Sequence, residues 1–250
     1  MKKHILFLVL ITVVFFSSCT TYKNIPYYQD INQAAPSQEM VNNYSPFIIQ
    51  SADILGINVS SRTPESSAIF NYNGKDLQPN VSGYLVNSKG EVQLPLIGSL
   101  KVAGLTITQV QDKMSQLLVT YYKDPVVNVR ILNFKVIVYG DVQRPNVYTL
   151  TDERVTITQA LTLAGDLNIT AMRQNVVLIR EENGKRSFIP LDLTSKNIFQ
   201  SPYYYLKNND EIYVTPDHTK YASLDRGYRT ATLVLSGLSI IAIVLSNLFR

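Results

Sequence analysis

The sequence predicts an α+β fold: two small β-rich domains that each contain one helix, followed by a hydrophobic C-terminal helix. Three observations lead to this prediction. Short runs of alternating apolar residues, separated by Gly, Pro and Asn turns, recur between Phe47 and Pro216. The four letters TITQ open two helical patterns, one around Thr106 and one around Thr156. The last segment, Thr230 to Arg250, is predominantly apolar.

The N-terminal residues have the layout of a secretory signal. Two lysines precede an apolar run from Ile5 to Phe16, which is short for a membrane span, and two serines then precede Cys19. This pattern resembles a bacterial lipoprotein signal, which is cleaved just before the cysteine that carries the lipid. We therefore expect residues 1–18 to be a signal peptide and Cys19 to be the lipid anchor. An ordinary secretory peptide, or an uncleaved anchor with an incidental cysteine, is the alternative.

Composition argues against several classes of function. The chain has 23 Lys and Arg against 19 Asp and Glu, scattered along its length, so we expect no nucleic-acid partner. His218 is the only histidine beyond the predicted signal, and Cys19 is the only cysteine, so we predict no metal site and no Ser-His-Asp triad. Phosphate-loop, dinucleotide-binding and nucleophile-elbow motifs are absent. We predict no cofactor and no enzyme activity.

The first β-rich unit follows a polar segment. Residues 19–45 are rich in Asn, Gln, Pro and Tyr without a clear period, which predicts a tether that makes some extended contact. From Phe47 onward the pattern favours strands, above all in the run ILGINVS. The polar stretch from Arg62 to Asn80 predicts a loop. The apolar runs on either side of Ser88-Lys89-Gly90 predict a hairpin.

A capped helix completes this unit. Thr106 stands three residues before Gln109, the spacing at which each side chain can bind the other residue's backbone N–H. Apolar residues then follow at helical spacing on one face: Val110, Met114, Leu117 and Leu118. Pro125 ends the helical unit, VVNVRIL alternates as a strand, and we place the domain boundary near Leu132.

The second unit has a similar order of elements. FKVIVYG and VYTL flank a turn from Asp141 to Asn146. Thr156 and Gln159 then form a second capping box, before a helix that continues through Ala160, Leu161 and Leu163 to Gly165. NVVLIR and RSFIPL flank an Asn-Gly hairpin turn, and EIYVTP ends the unit. The shared TITQ letters alone do not establish a repeat, because any two helices can begin with the same cap.

Longer motifs run through both units. The patterns D-x-L-x-I-x-V, G-x-I-x-L-P-x-I-G-x-I-x-V-x-G-x-T and D-P-x-V-x-V are met in order at Asp53, Leu55, Ile57, Val59, Gly90, Leu94, Pro95, Ile97, Gly98, Val102, Gly104, Thr106, Asp124, Pro125, Val127 and Val129. The second unit meets V-x-G-x-V-x-x-P-G-x-Y and A-G-G at Val138, Gly140, Val142, Pro145, Tyr148, Ala164 and Gly165. Together these motifs resemble the Wza-type outer-membrane polysaccharide export family, in which an export domain precedes soluble-ligand-binding β-grasp (SLBB) domains. Asn146 and Asp166 stand where that family has glycines.

The resemblance implies a division of the chain. Residues 46–132 would be the polysaccharide export domain, residues 133–216 a single SLBB domain, and residues 217–229 a linker. It also implies a homo-oligomeric ring and an inner-membrane polysaccharide copolymerase as a partner. We interpret the motif glycines and prolines as scaffold, and Asp53 as a turn residue that binds local amides. The Tyr203-Tyr204-Tyr205 run could stack on sugar rings or pack between subunits.

The apolar segment 230–250 predicts a transmembrane helix. Its residues, at about 1.5 Å each, span roughly the 30 Å of a hydrocarbon core. A buried core helix fits poorly because a polar connector precedes it, so two roles stay open: a second anchor, or the wall of a pore. A polar stripe favours the pore, although its hydroxyls could simply bind their own backbone. The predicted pore-lining residues are Thr232, Ser236, Ser239, Ser246 and Arg250.

These inferences combine into one expected function. We expect an outer-membrane lipoprotein, anchored by Cys19 on the periplasmic side, whose homo-oligomeric ring exports capsular or extracellular polysaccharide through a pore lined by the C-terminal helices. Thr20 follows Cys19 where an aspartate would favour retention in the inner membrane. The alternative is a periplasmic glycan-binding or scaffolding lipoprotein whose C-terminal helix is only a second anchor.

Overall fold

The computed structural model describes residues 25–32, 34–62, 68–71, 83–152, 154–182, 184–221 and 226–248. The predicted signal peptide, Cys19 and Arg250 lie outside these ranges, as does most of the predicted loop from Arg62 to Asn80. The described residues form two β-rich units and three α-helices. The predicted α+β class is therefore confirmed for the two β-rich units.

The first unit is a small sheet covered by one helix. In chain order it contains β1 (Ile54–Ser60), β2 (Tyr84–Leu85), β3 (Glu91–Leu94), β4 (Gly98–Lys101), helix α1 (Ile107–Leu118) and β5 (Val126–Ile131). β1 pairs antiparallel with β2 on one side and β5 on the other, and β3 pairs with β4. Alternate side chains of β1 and β5 are buried, as period-two alternation requires, and α1 packs over β5.

The predicted hairpin around residues 88–90 is wrong in its strand pairing. Those residues do form a turn, in which Asn87 N donates to Glu91 O at 2.9 Å. The segment before the turn pairs with β1 instead, where Val86 N donates to Asp53 O at 2.8 Å. β3 turns back at its other end and pairs with β4. A turn signal indicates a chain reversal, but it does not decide which strand each flanking segment joins.

The second unit is a mixed five-stranded sheet. In chain order it contains β6 (Lys135–Gly140), β7 (Asn146–Thr149), helix α2 (Ile157–Leu163), β8 (Ala171–Glu182), β9 (Lys185–Leu191) and β10 (Glu211–Pro216). The strand order is β7-β6-β10-β8-β9, and β6 and β10 are the parallel pair. At the end of β6, Gly140 has a φ of +97°, and a Cβ there would lie 2.1 Å from Val214 O. This glycine therefore serves the scaffold, as the sequence indicated.

Both predicted capping boxes are present. Thr106 Oγ1 accepts from Gln109 N at 3.2 Å, and Gln109 Oε1 accepts from Thr106 N at 2.9 Å. Thr156 and Gln159 make the same pair of bonds at the same distances. Of the apolar face predicted for α1, Val110, Met114 and Leu118 are buried, whereas Leu117 is 41% exposed.

Replacing Thr156 by alanine should lower the free energy of unfolding by about 1 kcal/mol, because an N–H at the start of α2 loses its acceptor. Thr156→Ser keeps the hydroxyl and should restore most of that loss. Urea unfolding followed by circular dichroism measures both variants. Equal midpoints for Thr156→Ala and the unaltered protein would show that the box does not stabilise α2.

Candidate functional site

The predicted C-terminal helix is present as α3 (Arg226–Leu248), 23 residues long. Its large apolar side chains are exposed to 54% or more: Leu233, Val234, Leu235, Leu238, Ile240, Ile241, Ile243 and Val244. None of these described side chains joins the hydrophobic core, in agreement with the expectation that this is not a core helix. An apolar surface of this extent marks a site of interaction with another molecule.

The transmembrane prediction for residues 230–250 is not supported. Of the residues that the structure describes, no helix is both long enough and apolar enough to cross a membrane. A bilayer crossing needs about 20 predominantly apolar residues in an unbroken run.

The predicted polar stripe lies on α3. Thr232, Ser236 and Ser239 are all exposed on this helix. Ser236 Oγ donates to Thr232 O at 2.8 Å, and Ser239 Oγ donates to Leu235 O at 2.9 Å. These hydroxyls therefore bind their own backbone, the alternative weighed from the sequence. The side chain of Ser246 and all of Arg250 lie outside the described residues, so pore lining stays a prediction.

The described part of the predicted tether lies against the second unit. We call residues 25–48 the strap. Tyr28 N donates to Leu193 O at 3.2 Å, and Asp30 accepts from Ser195 Oγ at 2.7 Å. The hydrogen bond from Lys196 N, followed by that from Ser195, holds the pKa of Asp30 below its usual value. Contacts with the second unit therefore order the strap, which precedes the first unit in the chain.

Aromatic rings of the strap interleave with rings of the second unit. Neighbouring centroids are 4.7–5.7 Å apart along the series Tyr27, Tyr28, Phe199, Tyr204, Tyr205 and Tyr44. The guanidinium of Arg173 lies over the ring of Tyr27, and that of Arg154 over Tyr44. Tyr204 and Tyr205 of the predicted tyrosine run therefore pack within one chain, at distances typical of aromatic pairs.

A cleft lies between the strap and the second unit. It has a volume of about 310 Å³ and is lined mainly by aromatic and charged side chains. These are Tyr44, Phe47, Arg180, Glu182, Tyr205 and Lys207. We call this cavity the cleft. It lies beside both helix starts, because strap residue Ile48 bridges to Thr106 and Tyr205 bridges to Thr156.

A buried ion pair supports one wall of the cleft. Arg180 Nε donates to Asp210 Oδ1 at 2.9 Å, and Arg180 Nη2 donates to Asp210 Oδ2 at 2.6 Å. Their side chains are only 7% and 1% exposed. Arg180 Nη2 also donates to Tyr205 O at 3.1 Å, so the pair fixes the backbone beside a cleft-lining ring. Two parallel bonds of this kind are the strong form of an arginine–carboxylate contact.

A second cavity of about 440 Å³ lies between the strap and α2. It is lined by Tyr27, Tyr28, Thr158, Leu161, Thr162, Gly165 and Asp166. Tyr27 donates a short hydrogen bond to Asp166, and burial, followed by that bond, raises the pKa of the Tyr27 hydroxyl. The lining is mostly apolar and offers one carboxylate. Within the described ranges, no cluster of His, Cys, Asp and Glu has the arrangement of a metal site.

One hydrogen-bonded acid joins the two units. Asp53 Oδ2 accepts from Gln50 N at 2.8 Å, so the predicted local turn contact is confirmed. Asp53 Oδ1 also accepts from Asn208 Nδ2 of the second unit at 2.9 Å, a contact that the sequence did not reveal. Burial raises the pKa of the Asp53 carboxyl. The residue therefore acts as a structural link and not as a ligand contact.

Another buried acid fixes the segment before α3. Asp141 is fully buried and accepts from Lys220 Nζ at 2.6 Å, Thr170 Oγ1 at 2.6 Å and Asn168 Nδ2 at 2.8 Å. Burial alone would raise the pKa of Asp141, but these hydrogen bonds outweigh burial and hold the pKa below its ordinary 3.8. The same contact raises the pKa of Lys220 above its ordinary 10.5. The predicted linker, residues 217–229, is therefore bound near its start to the second unit through Lys220.

The Asp141–Lys220 contact predicts a pH dependence of stability. A carboxyl with a lowered folded-state pKa stabilises the fold above its unfolded value, and that contribution is lost as the pH falls through the folded value. The stability difference between the unaltered protein and Asp141→Asn should therefore be full above pH 3.8 and shrink at more acid pH. Urea unfolding between pH 7 and pH 2.5 measures it, at roughly half-unit steps. A difference independent of pH would contradict the assignment.

Comparisons with known proteins add to this geometry. Residues 41–132 match the family model described as polysaccharide biosynthesis/export protein, and residues 134–214 match the SLBB domain. The chain is 31% identical over 143 residues to the EPS I polysaccharide export outer membrane protein EpsA of Ralstonia solanacearum. It is 34% identical over 137 residues to the protein of the same name from Ralstonia nicotianae.

These alignments cover part of each protein. They include 53% and 50% of this chain, and 38% and 36% of the two relatives. The chain therefore matches little more than a third of the length of the relatives. The two family models together cover more than half of the chain, in the order that the sequence motifs indicated.

Proposed function

Because the chain belongs to the polysaccharide biosynthesis/export protein family and carries one SLBB domain after its export domain, we propose that it exports capsular or extracellular polysaccharide across the outer membrane. In this proposal the protein is a lipoprotein that works as a homo-oligomeric channel and catalyses no reaction. The polymer passes through the central opening, driven by its synthesis and by an inner-membrane polysaccharide copolymerase.

The observation that carries the proposal is the order of the two matched domains in one folded body. Both relatives are named as polysaccharide export outer membrane proteins. The hydrogen bond between Asp53 and Asn208 joins the two units, so they can act as one wall segment of a ring. A head-to-tail ring of identical chains closes without free interfaces.

The exposed apolar side chains of α3 support assembly from several copies. In a single chain these side chains face solvent, and neighbouring copies of the helix would cover them. We propose that the polar stripe then faces the central opening of the ring. Its residues are Thr232, Ser236, Ser239, Ser246 and Arg250. This placement concerns the opening of the ring and does not require that the helix cross the bilayer.

Membrane attachment is a further part of the proposal. Cys19 would carry the lipid and hold the protein to the periplasmic face of the outer membrane. The described strap begins at residue 25 and is bound to the second unit from Tyr28 onward. A lipid at Cys19 would therefore keep the second unit close to the membrane surface.

The proposal is tested in cells of the source organism that lack this protein. Polymer should disappear from the cell surface, and expression of the full chain should restore it. Antibody or lectin labelling of intact and permeabilised cells measures surface and retained polymer separately. Surface polymer at the normal level without the protein would overturn the proposal.

The second candidate is a glycan-binding or scaffolding lipoprotein in which α3 is only an anchor. The aromatic and charged lining of the cleft favours glycan binding by the two β-rich units. The two candidates differ in one requirement: only the channel needs α3 for passage of the polymer.

A further inference from the structure

The cleft between the strap and the second unit has the features of a ligand site. We propose that it binds one pyranose unit of a saccharide, with the exported polymer as its source. This inference rests on the proposed function, because that function supplies the saccharide. The cleft is separate from the polar stripe of α3, where the channel proposal places the passing polymer.

The volume and the aromatic lining of the cleft suit a sugar unit. The cleft has a volume of about 310 Å³, near the lower end of the roughly 300–1,000 Å³ of typical ligand pockets. This volume suits one or two sugar units and not a long segment of polymer. Three rings line it, those of Tyr44, Phe47 and Tyr205. Such rings present flat apolar surfaces on which the C–H face of a pyranose can pack.

The aromatic wall is held in place before any ligand arrives. The Arg154 guanidinium lies 4.3 Å from the centroid of the Tyr44 ring. Arg154 Nη2 also donates to the Tyr205 hydroxyl at 2.9 Å. Tyr44 and Tyr205 contact each other edge to face, with centroids 5.2 Å apart. A lining that is fixed in advance loses little conformational freedom on binding.

Polar groups in the cleft match the hydroxyls of a sugar. Arg180 donates hydrogen bonds from Nε and Nη2 to Asp210, and from Nη2 to Tyr205 O. Its Nη1 has no hydrogen-bond partner among the described residues. This nearly buried side chain lines the cleft, so its remaining N–H groups can donate to a ligand oxygen. A guanidinium held by a buried carboxylate is a rigid donor.

A hydrogen-bond acceptor also lines the cleft. Glu182 lines the cleft and accepts from Lys207 Nζ at 3.0 Å, and both side chains are partly exposed. Both Glu182 oxygens accept from Lys207 Nζ, at 3.0 and 3.1 Å, but each carboxylate oxygen can accept a second hydrogen bond, so Glu182 can still accept from a sugar hydroxyl. Paired donors and acceptors next to aromatic rings are what recognition of a polyhydroxylated ring requires.

The cleft exists only while the strap is docked on the second unit. Its wall includes Phe47 of the strap, which packs against Phe134 near the junction of the two units, with centroids 5.8 Å apart. Strap residues and second-unit residues therefore have to stay together for the cleft to exist. A bound sugar unit would stabilise the docked strap, since a ligand that binds only one arrangement favours it.

The absence of tryptophan from the chain allows a direct test. Tyr44→Trp introduces one fluorescent reporter into the cleft of the full-length, detergent-extracted protein. The probe is a pool of oligosaccharides of about two to six units, prepared by partial acid hydrolysis of the polysaccharide that the producing cells secrete. An oligosaccharide of this length can place one unit in the cleft while its other units extend beyond it. We expect a saturable fluorescence change. Tyr139→Trp, at a ring that does not line the cleft, is the matched control and should not respond.

Two further substitutions locate the binding in the Tyr44→Trp protein. Tyr205→Ala should weaken binding about tenfold or more, because it removes one aromatic wall. Glu182→Gln lies at the partly exposed rim and should weaken binding several-fold with an unchanged unfolding temperature. This second variant keeps the test valid if Tyr205→Ala fails to fold. A response that neither substitution weakens would overturn the proposal, as would a response of equal size at Tyr139→Trp.

Failure of the cleft and failure of the export function give different results. If the reporter is silent but surface polymer still depends on the protein, the cleft proposal alone is wrong. If the reporter responds but surface polymer does not depend on the protein, the export proposal is wrong and the cleft supports the glycan-binding alternative. If the reporter is silent and surface polymer is independent of the protein, both are wrong.

Discussion

Asp210→Asn is expected to lower the free energy of unfolding by about 3–5 kcal/mol, the cost of removing one partner of a buried ion pair. Asp210 is 1% exposed and receives two hydrogen bonds from Arg180. The substitution leaves a buried guanidinium that cannot lose its proton. The complementary Arg180→Met leaves a carboxyl group that can take up a proton, so its cost should be smaller at acid pH.

Urea unfolding at pH 7 measures the loss, and the chain offers a matched control. Arg186 pairs with Glu181 at the surface, with side chains 61% and 64% exposed. Arg186→Met should therefore cost less than about 1 kcal/mol. The double variant Asp210→Asn with Arg180→Met should recover part of the loss, because it removes both charges. Equal losses for the buried and the exposed pair would contradict this account of the second unit.

Deletion of Arg226–Leu248 is expected to abolish both ring assembly and surface polymer. Eight of the described large apolar side chains of α3 are exposed, and the deletion removes the apolar surface that neighbouring copies would cover. The two β-rich units should keep their unfolding free energy, since none of the described side chains of α3 belongs to the hydrophobic core. Light scattering of the extracted protein and surface labelling of the polymer measure the two effects.

Phe188→Ser is the control for this deletion. It removes another exposed apolar side chain, on β9, and should leave both assembly and surface polymer unchanged. Surface polymer at the normal level after deletion of α3 would contradict the channel and support the glycan-binding alternative. Loss of surface polymer with an intact ring would assign α3 to passage alone.

Local features of the fold could be predicted from the sequence because they depend on neighbouring residues. Each capping box needs a threonine and a glutamine three positions apart, so Thr106 and Thr156 were sufficient to place both helix starts. The pairing of β2 with β1 could not be predicted in the same way. It joins residues about 30 positions apart across a polar stretch, and no local pattern records that choice.

The partner of the strap could not be predicted for a similar reason. The contacts of the strap are hydrogen bonds of backbone and side-chain groups and ring contacts such as that of Tyr28 with Phe199, and none of these produces a period in the sequence. A polar, aperiodic segment is indistinguishable from a free tether until its partner is known. Tyrosines in a predicted tether were the available sign that it binds a surface.

The buried ion pair did leave a sign in the sequence. In β8, Val176, Leu178 and Arg180 alternate on one face, and all three are buried. A charged residue in phase with buried apolar residues indicates an interior partner, because an unpaired buried charge is too costly. The identity of that partner, Asp210, comes from a turn 30 residues further on. The cleft as a whole joins three separate segments, so its existence required the folded structure.

The central claim is that the protein works as a ring of identical chains. The most direct test is the mass and rotational symmetry of the full-length protein extracted in mild detergent, from light scattering and electron microscopy of single particles. We expect closed, rotationally symmetric rings with a mass several times that of one 28.2 kDa chain. A homogeneous population of single chains would contradict it.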